Sequence, residues 1–565
     1  MAKKKQNPAS APPVSAPKSK AAVDRTPSKP FTDSDLFYLF LLALVVGVYA
    51  YFRSKFLSIP LERDEGTYAY MGQLLLDGKR PYLDFYEMKP PALYYSYALL
   101  VGLVGTTVEG LHAAALMVCV VTAVLIYYIC KILYHREAGL MAALVYLILS
   151  LGRIPGGYTA QAEHLVVVWA VAGFFFAAKG WQQGKAWQWI LAGAFFANAV
   201  MTKQVAGVFA PAAVALAWAA ATRSAEGQVL RKTAIYTGLM AAGGIAVVGA
   251  WLLLIMGYGA WNEMMYWLFE YPKGYTSFFS WNDRKGEFWK ILKGMYRDDT
   301  IIWTMAIAGL FLSVLAQRYR YLLPFLVLLF AAAFIGVMPG YYFYGHYWLY
   351  FSPVVAICAG AAVSSLRDRL SAFTPLAAYL GILLVAAVFF LDYSNKNKYY
   401  LRPNFKQIMY TAYSDNPFPE TDEVAKFLKR KAQPGDQLLV MGSEPQLNYL
   451  TGMRSPTRHF FMGYLTKSRP EEAAWIKETK EAAETSKPRF VVTVVHPYSW
   501  AYIDNKNTDM FNYAFEFTKN NYKLIGIADM QPGATKYIWG EAAETYPRIA
   551  QGVKHLLVYE RKPGI

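Results

Sequence analysis

Arg63-Asp64-Glu65-Gly66 and, further along the same polar segment, Tyr86-Glu87-Met88-Lys89-Pro90-Pro91 follow an apolar run at residues 36–52. The two stretches set five charged residues beside a segment that reads as membrane-crossing. Charge so near a bilayer is costly unless it is paired, solvated or used. They read as one loop on the outer face of a membrane, its carboxylates forming the rim of an active site.

Composition supports a membrane setting. The chain has 565 residues, 55% hydrophobic and 17% charged, too apolar for an ordinary soluble protein. Its formal charge of +17 could suggest nucleic acid. Basic residues instead collect in short loops and an N-terminal tail, as expected of cytoplasmic segments, so no nucleic-acid partner is expected. Cys119, Cys130 and Cys358 all fall in apolar runs, which implies buried packing and no disulfide in the polar C-terminal part.

Working outward from the first loop gives about eleven spans: 36–52, 111–133, 138–151, 165–178, 189–201, 205–221, 234–256, 301–315, 322–337, 349–366 and 375–391. With the N-terminus inside, the cytoplasmic loops carry His135-Arg136, Lys179 with Lys185, Arg223 with Arg231-Lys232, Arg318 with Arg320, and Arg367 with Arg369. All are positive, as the positive-inside rule asks, and an odd count leaves the C-terminus outside. Residues 92–105 are apolar but short and rich in Tyr, and read as a helix lying along the outer leaflet. The expected fold class is a polytopic α-helical membrane protein with a C-terminal extracytoplasmic α/β domain. Its parts are a disordered basic tail at 1–32, a transmembrane catalytic domain at 33–395 and a soluble domain at 396–565. In the soluble domain, 421–432 reads as a helix, and 437–441, 490–495, 523–527 and 555–559 as strands. It shows no phosphate loop, metal spacing or nucleophile elbow, which suggests a structural role or contact with an acceptor.

This orientation puts Asp64, Glu65, Glu87 and Lys89, then Tyr158, Gln161, Glu163 and His164, then Lys203-Gln204, then His346 all on the outer side. Each has a plainer reading. Glu163 and His164 could cap a span, Lys203 could snorkel to the headgroups, and His346 could belong to an aromatic belt. The aromatic stretch 261–281 could be interfacial packing or a sugar platform. Lys203, with apolar neighbours on both sides, must snorkel, pair or bind an anion such as a lipid phosphate. Carboxylates that could take a proton and cations that could hold a phosphate are the groups such a rim would offer.

The chain resembles the GT-C membrane glycosyltransferases, and within them the bacterial protein O-mannosyltransferases and lipid A aminoarabinose transferases. The likeness rests on Asp64-Glu65, on Tyr86-Glu87-Met88-Lys89-Pro90-Pro91, and on Glu163. It also rests on Leu191-Ala192-Gly193 with Thr202-Lys203-Gln204, and on Gly345-His346-Tyr347 with Ser352-Pro353. The resemblance implies an inverting transfer from a polyprenyl-phosphate-linked sugar to a hydroxyl of a protein, lipid or glycan on the outer face. It implies Asp64 as general base with Glu65 in reserve. Glu87, Lys89, Glu163, His164, Lys203, Gln204 and His346 would bind substrate, Lys203 matching a donor-phosphate position. Met88 departs from the family's adjacent Glu-Lys pair. No cofactor is required, with a divalent metal left open, and the missing Trp-Trp-Asp motif argues against an oligosaccharyltransferase. The implied location is a bacterial inner membrane. A transporter of lipid-linked sugars, or a non-catalytic relative that binds them, is the alternative. A transporter would put charges mid-span and show inverted repeats.

Overall fold

A computed structural model describes residues 34–224, 227–374, 376–467, 469–500, 507–531, 534–547 and 553–564. The expected basic tail at 1–32 lies outside the described residues.

Every expected span is helical. The order is α1 (Asp35–Ser54), α2 (Arg63–Leu76), α3 (Ala92–Val104), α4 (Val108–Leu133), α5 (Arg136–Ser150), α6 (Ala162–Gln183), α7 (Ala186–Thr202), α8 (Ala210–Ser224) and α9 (Val229–Gly257). Next come α10 (Trp261–Met265), α11 (Tyr271–Thr276), α12 (Trp281–Asp298), α13 (Thr300–Leu315), α14 (Leu323–Gly336), α15 (Phe351–Leu370) and α16 (Ala377–Leu401). Fewer of these than eleven can cross a bilayer alone. Among the described residues eight helices are long and apolar enough, nine if α12 and α13, bent by 99°, count as one broken span. The shortfall is length: α5, with 15 residues, reaches about 22 Å against a hydrocarbon core of about 30 Å.

Two expectations about the polar segments change. Residues 63–76 are the helix α2 rather than a loop. Glu62 caps it: its carboxylate accepts from the Glu65 N–H at 2.6 Å, while the Glu65 carboxylate accepts from the Glu62 N–H at 2.9 Å. This reciprocal box satisfies two orphan donors of the first turn. The boundary at 395 falls inside α16, which continues past Asp392 because Lys396 lies 2.9 Å from Asp392 and 2.5 Å from Asp299. A charge cluster that would end an apolar run is paired here instead.

The helices pack closely where side chains are small. A Cβ on Gly193 of α7 would lie 1.7 Å from the Met240 carbonyl oxygen of α9, and one on Gly243 of α9 would lie 1.9 Å from that of Ile190. Glycine lets the two backbones meet, as is common between membrane helices.

The C-terminal part holds α17 (Phe405–Tyr413), α18 (Phe418–Lys429), α19 (Gln446–Thr451), α20 (Glu472–Ser486), α21 (Asp509–Asn521) and α22 (Glu541–Glu544). They surround a sheet of order β1-β2-β5-β3-β4. The strands are β1 (Leu438–Met441), β2 (Phe490–Val495), β3 (Tyr522–Gln531), β4 (Ala534–Trp539) and β5 (His555–Arg561). Only β1 and β2 pair in parallel. Four strands match the expected runs. β4 was not expected, because Ala534-Thr535-Lys536 is polar and the strand lies at the sheet edge. The expected helix at 421–432 begins earlier, at Phe418.

This sheet shares a hydrophobic core with α2 and α3. Tyr70, Tyr94 and Tyr97 pack in one cluster with Leu438, Val492 and Val558. The α2 surface is shaped for the contact: a Cβ on Gly66 would lie 2.5 Å from the Cβ of Gln446 and 3.1 Å from its Cα. Tyr70 accepts the Ser455 N–H at 2.7 Å, and Arg454 pairs with Asp77. α2 is thus wedged between the helical bundle and the sheet domain.

Candidate active site

Asp64 points into a cavity because its neighbours are committed elsewhere. Glu65 is fully buried. Its Oε2 accepts from His112 Nε2 at 3.0 Å and from the Ala160 N–H at 2.6 Å, while its Oε1 closes the capping box. Arg63 reaches the sheet domain, donating to the Ser443 carbonyl at 2.7 Å, to Glu444 at 2.9 Å and to Asn416 at 3.1 Å. With both sides of this first turn pinned, the remaining direction, taken by Asp64, faces open volume. Its carboxylate is 40% exposed and lies 3.9 Å from His346 Nε2.

That volume is about 650 Å³. It brings together six of the nine expected site residues: Asp64, Glu87, Lys89, Glu163, Lys203 and His346. Lys89 donates to Glu87 at 3.1 Å, and Tyr464 of the sheet domain donates to the same carboxylate at 3.0 Å. The Met88 that separates them points its carbonyl to Gln204, whose amide donates at 3.1 Å. The intervening residue therefore still lets the acid and the base pair. Lys203 pairs with Glu163 and sits 4.4 Å from the centre of the Tyr347 ring.

Three expected site residues stand outside the cavity lining. Glu65 is spent on helix capping and on bonds to α4 and the turn before α6. His164 Nε2 faces the Gly157 carbonyl at 2.9 Å, bracing the turn that precedes α6. Gln204 holds the 86–91 loop through the Met88 carbonyl. Each is a polar side chain satisfied by protein, so its exposure in the sequence-based topology was a consequence of counting spans, not of side-chain direction.

Other groups lining the cavity were not expected. Glu62 is buried, and burial, followed by the charges of Asp64 and Glu65, pushes its carboxyl well above the usual range. Arg284, on α12, donates to the Tyr342 carbonyl at 3.0 Å and stacks 5.1 Å from the Phe279 ring. No carboxylate pairs with it among the described residues. Tyr271, Tyr275, Phe278, Tyr342 and Tyr344 form an aromatic wall, with Tyr275 and Tyr342 stacked at 4.2 Å. The stretch 261–281 therefore does both things weighed for it: Trp267 packs on Tyr86 at 4.1 Å, while later rings face the cavity. The sheet domain supplies the remaining wall through Tyr413, Phe461, Tyr464, Lys467, Arg469 and Tyr498. The amphipathic pattern of 281–298 could have pointed to Arg284; nothing local marks the sheet-domain residues, because they arrive by tertiary docking. Among the described residues no three His, Cys, Asp or Glu side chains gather as a metal-binding group.

Comparison with known proteins relates part of the chain to a family model and its fold to solved structures. Residues 88–252 match the family model described as dolichyl-phosphate-mannose-protein mannosyltransferase. The solved structure of ArnT from Cupriavidus metallidurans, bound to undecaprenyl phosphate, matches 93% of this chain and 98% of its own, with TM-score 0.56 and 13% identity. The chain has the GT-C glycosyltransferase fold. Within that fold two more distant likenesses are the apo oligosaccharyltransferase of Archaeoglobus fulgidus and the arabinosyltransferase EmbB of Mycobacterium smegmatis. The first has TM-score 0.49 and 11% identity, over 90% of this chain and 75% of that one. The second has TM-score 0.39 and 11% identity, over 88% and 44%. No curated protein matches the sequence. The GT-C fold and the apolar helices make this a multi-pass membrane protein with an added small sheet domain. The family-model match takes in Lys89, Glu163 and Lys203 but not Asp64 or His346, which join them only through the fold.

Proposed function

We propose that the protein is an inverting glycosyltransferase, moving a sugar from a polyprenyl-phosphate donor to an acceptor hydroxyl at the outer face of a bacterial inner membrane. The observation that carries this reading is one cavity, in a GT-C fold, holding the open carboxylate of Asp64 together with the carboxylate-free guanidinium of Arg284. In an inverting transfer the acceptor oxygen attacks the anomeric carbon from the face opposite the phosphate. Asp64 takes the acceptor's proton as the new bond forms. Cations must steady the charge that grows on the leaving phosphate. Arg284 suits that role, and Lys89, already shared with Glu87, stands beside the same space. Lys203 suits it less well, because its charge is matched by Glu163. Aromatic faces such as Tyr275 and Tyr344 offer stacking surfaces for a sugar ring. The sheet domain, which closes the cavity, is where an acceptor would be selected.

The test is transfer of radiolabelled sugar from a panel of undecaprenyl-phosphate-linked sugars, by wild type and Asp64→Asn in liposomes. Turnover on one donor that the variant loses by about 10²-fold or more supports the reading. Full transfer by a folded Asp64→Asn protein removes the base assignment. No wild-type turnover on any donor, with acceptor extract present, removes the enzyme reading.

A further inference from the structure

Tyr68 lies one turn beyond Asp64 on α2, so the two side chains share a helix face. Both line the cavity, together with Thr67. Tyr68 is 4% exposed, and its ring packs against Tyr97 at 5.5 Å. Its hydroxyl forms no hydrogen bond among the described residues and is not sealed from the cavity that the residue lines, so it is free to meet a ligand there. Other tyrosines nearby are already engaged: Tyr82 and Tyr94 each donate to the Lys89 carbonyl at 2.8 Å, and Tyr464 donates to Glu87.

The charges around this hydroxyl limit what could meet it. Asp64, Glu87 and Glu163 all act on it. Glu87 and Glu163 are each paired with a lysine, which leaves Asp64 as the acid not held by one; that charge disfavours a phosphate at this point, and Arg284 offers it a better place. A carbohydrate ring suits the point well, since its hydroxyls donate to carboxylates while its oxygens still need a donor. Burial first, and then those carboxylates, raise the phenol's pKa well above its ordinary value, so it keeps its proton and has it available to donate.

Resting on the glycosyltransferase reading above, we propose that Tyr68 donates a hydrogen bond to an oxygen of the carbohydrate held beside Asp64, and that this acid-lined end of the cavity is the sugar subsite. The ring there is the sugar being transferred; an acceptor glycan offers the same chemistry, and the experiment separates the two.

The test compares wild type with Tyr68→Phe, using undecaprenyl phosphate, the sugar-bearing undecaprenyl-phosphate donor that wild type uses, and its acceptor. Because the hydroxyl makes no bond within the protein, the apparent Tm should stay unchanged, which a structural role would not allow. Binding of undecaprenyl phosphate, which lacks a sugar, should also stay unchanged. The kcat/KM for the sugar-bearing donor should fall about tenfold, the effect of one lost hydrogen bond. A loss confined to the acceptor's KM supports the hydrogen bond and assigns it to an acceptor glycan. Unchanged kinetics in a folded Tyr68→Phe protein overturns the proposal, as does an equal loss of undecaprenyl phosphate binding. If wild type itself transfers from no donor, the glycosyltransferase reading fails and takes this subsite with it, a result distinct from a silent Tyr68→Phe variant.

Discussion

Replacing Lys203 by Met separates two readings of the same cation. In the sequence, Lys203 is a candidate for the donor phosphate. In the structure it pairs with Glu163, which is 1% exposed, while the lysine is 12% exposed. Removing one partner of such a pair leaves a buried charge uncompensated, at about 3–5 kcal/mol. The lower end applies here, because Lys203 borders the cavity and water could enter in its place. Loss of its contact with the Tyr347 ring adds about 0.5–2 kcal/mol. With an unfolding entropy scaling to 565 residues, a loss of 3–5 kcal/mol lowers Tm by about 3–4 °C. The assay is thermal unfolding in detergent at one scan rate, for Lys203→Met, Glu163→Gln and the double variant, with undecaprenyl phosphate binding measured on each. The expected result is a lower Tm for Lys203→Met, most of it restored in the double variant where neither charge remains, and near-normal phosphate-lipid binding there. An unchanged Tm combined with lost undecaprenyl phosphate binding would refute the pairing argument and make Lys203 a phosphate ligand.

Glu65→Gln puts an amide NH2 either against the Glu62 N–H or against the Ala160 N–H beside His112, and should cost about 1–3 kcal/mol, read as a lower Tm with activity falling only in step with folded protein. Asp64→Asn should show the opposite pattern, with Tm kept and turnover lost. Glu62, whose carboxyl is raised above 4.5, gives stability that is fully present below that pH and is lost as pH rises through the higher folded value. A Glu62→Gln protein, neutral throughout, should therefore show a flatter profile of Tm against pH from about 4.5 upward, and an unchanged slope would contradict a protonated Glu62. Gly66→Val must push α2 from Gln446, whose Cβ is already 2.5 Å from an added Cβ. Limited proteolysis should then release the sheet domain faster than in wild type, at a cost of about 1–3 kcal/mol.

The sequence by itself determined the membrane class, the position of every apolar helix and four of the five strands, because hydrophobic runs and alternation are local and one-dimensional. It also picked out Asp64, Glu87, Lys89, Glu163, Lys203 and His346 near the ends of apolar runs, six residues that line one cavity. It did not show α2. The segment 63–76 carries two glycines, two tyrosines and a charged first turn, and its helical state depends on a Glu62–Glu65 capping box and on burial against two domains at once. That burial alone decided that Asp64 faces the cavity while Glu65 is consumed in the scaffold, although the two residues are adjacent. Tertiary structure likewise decided that Lys203 is paired and that Arg284 has no carboxylate partner among the described residues. It also decided that residues from Tyr413 to Tyr498 complete the wall. Those are facts of direction and distance between segments far apart in the chain. Side-chain direction follows from which face of each helix finds apolar cover, and the chain defines that only once it has folded.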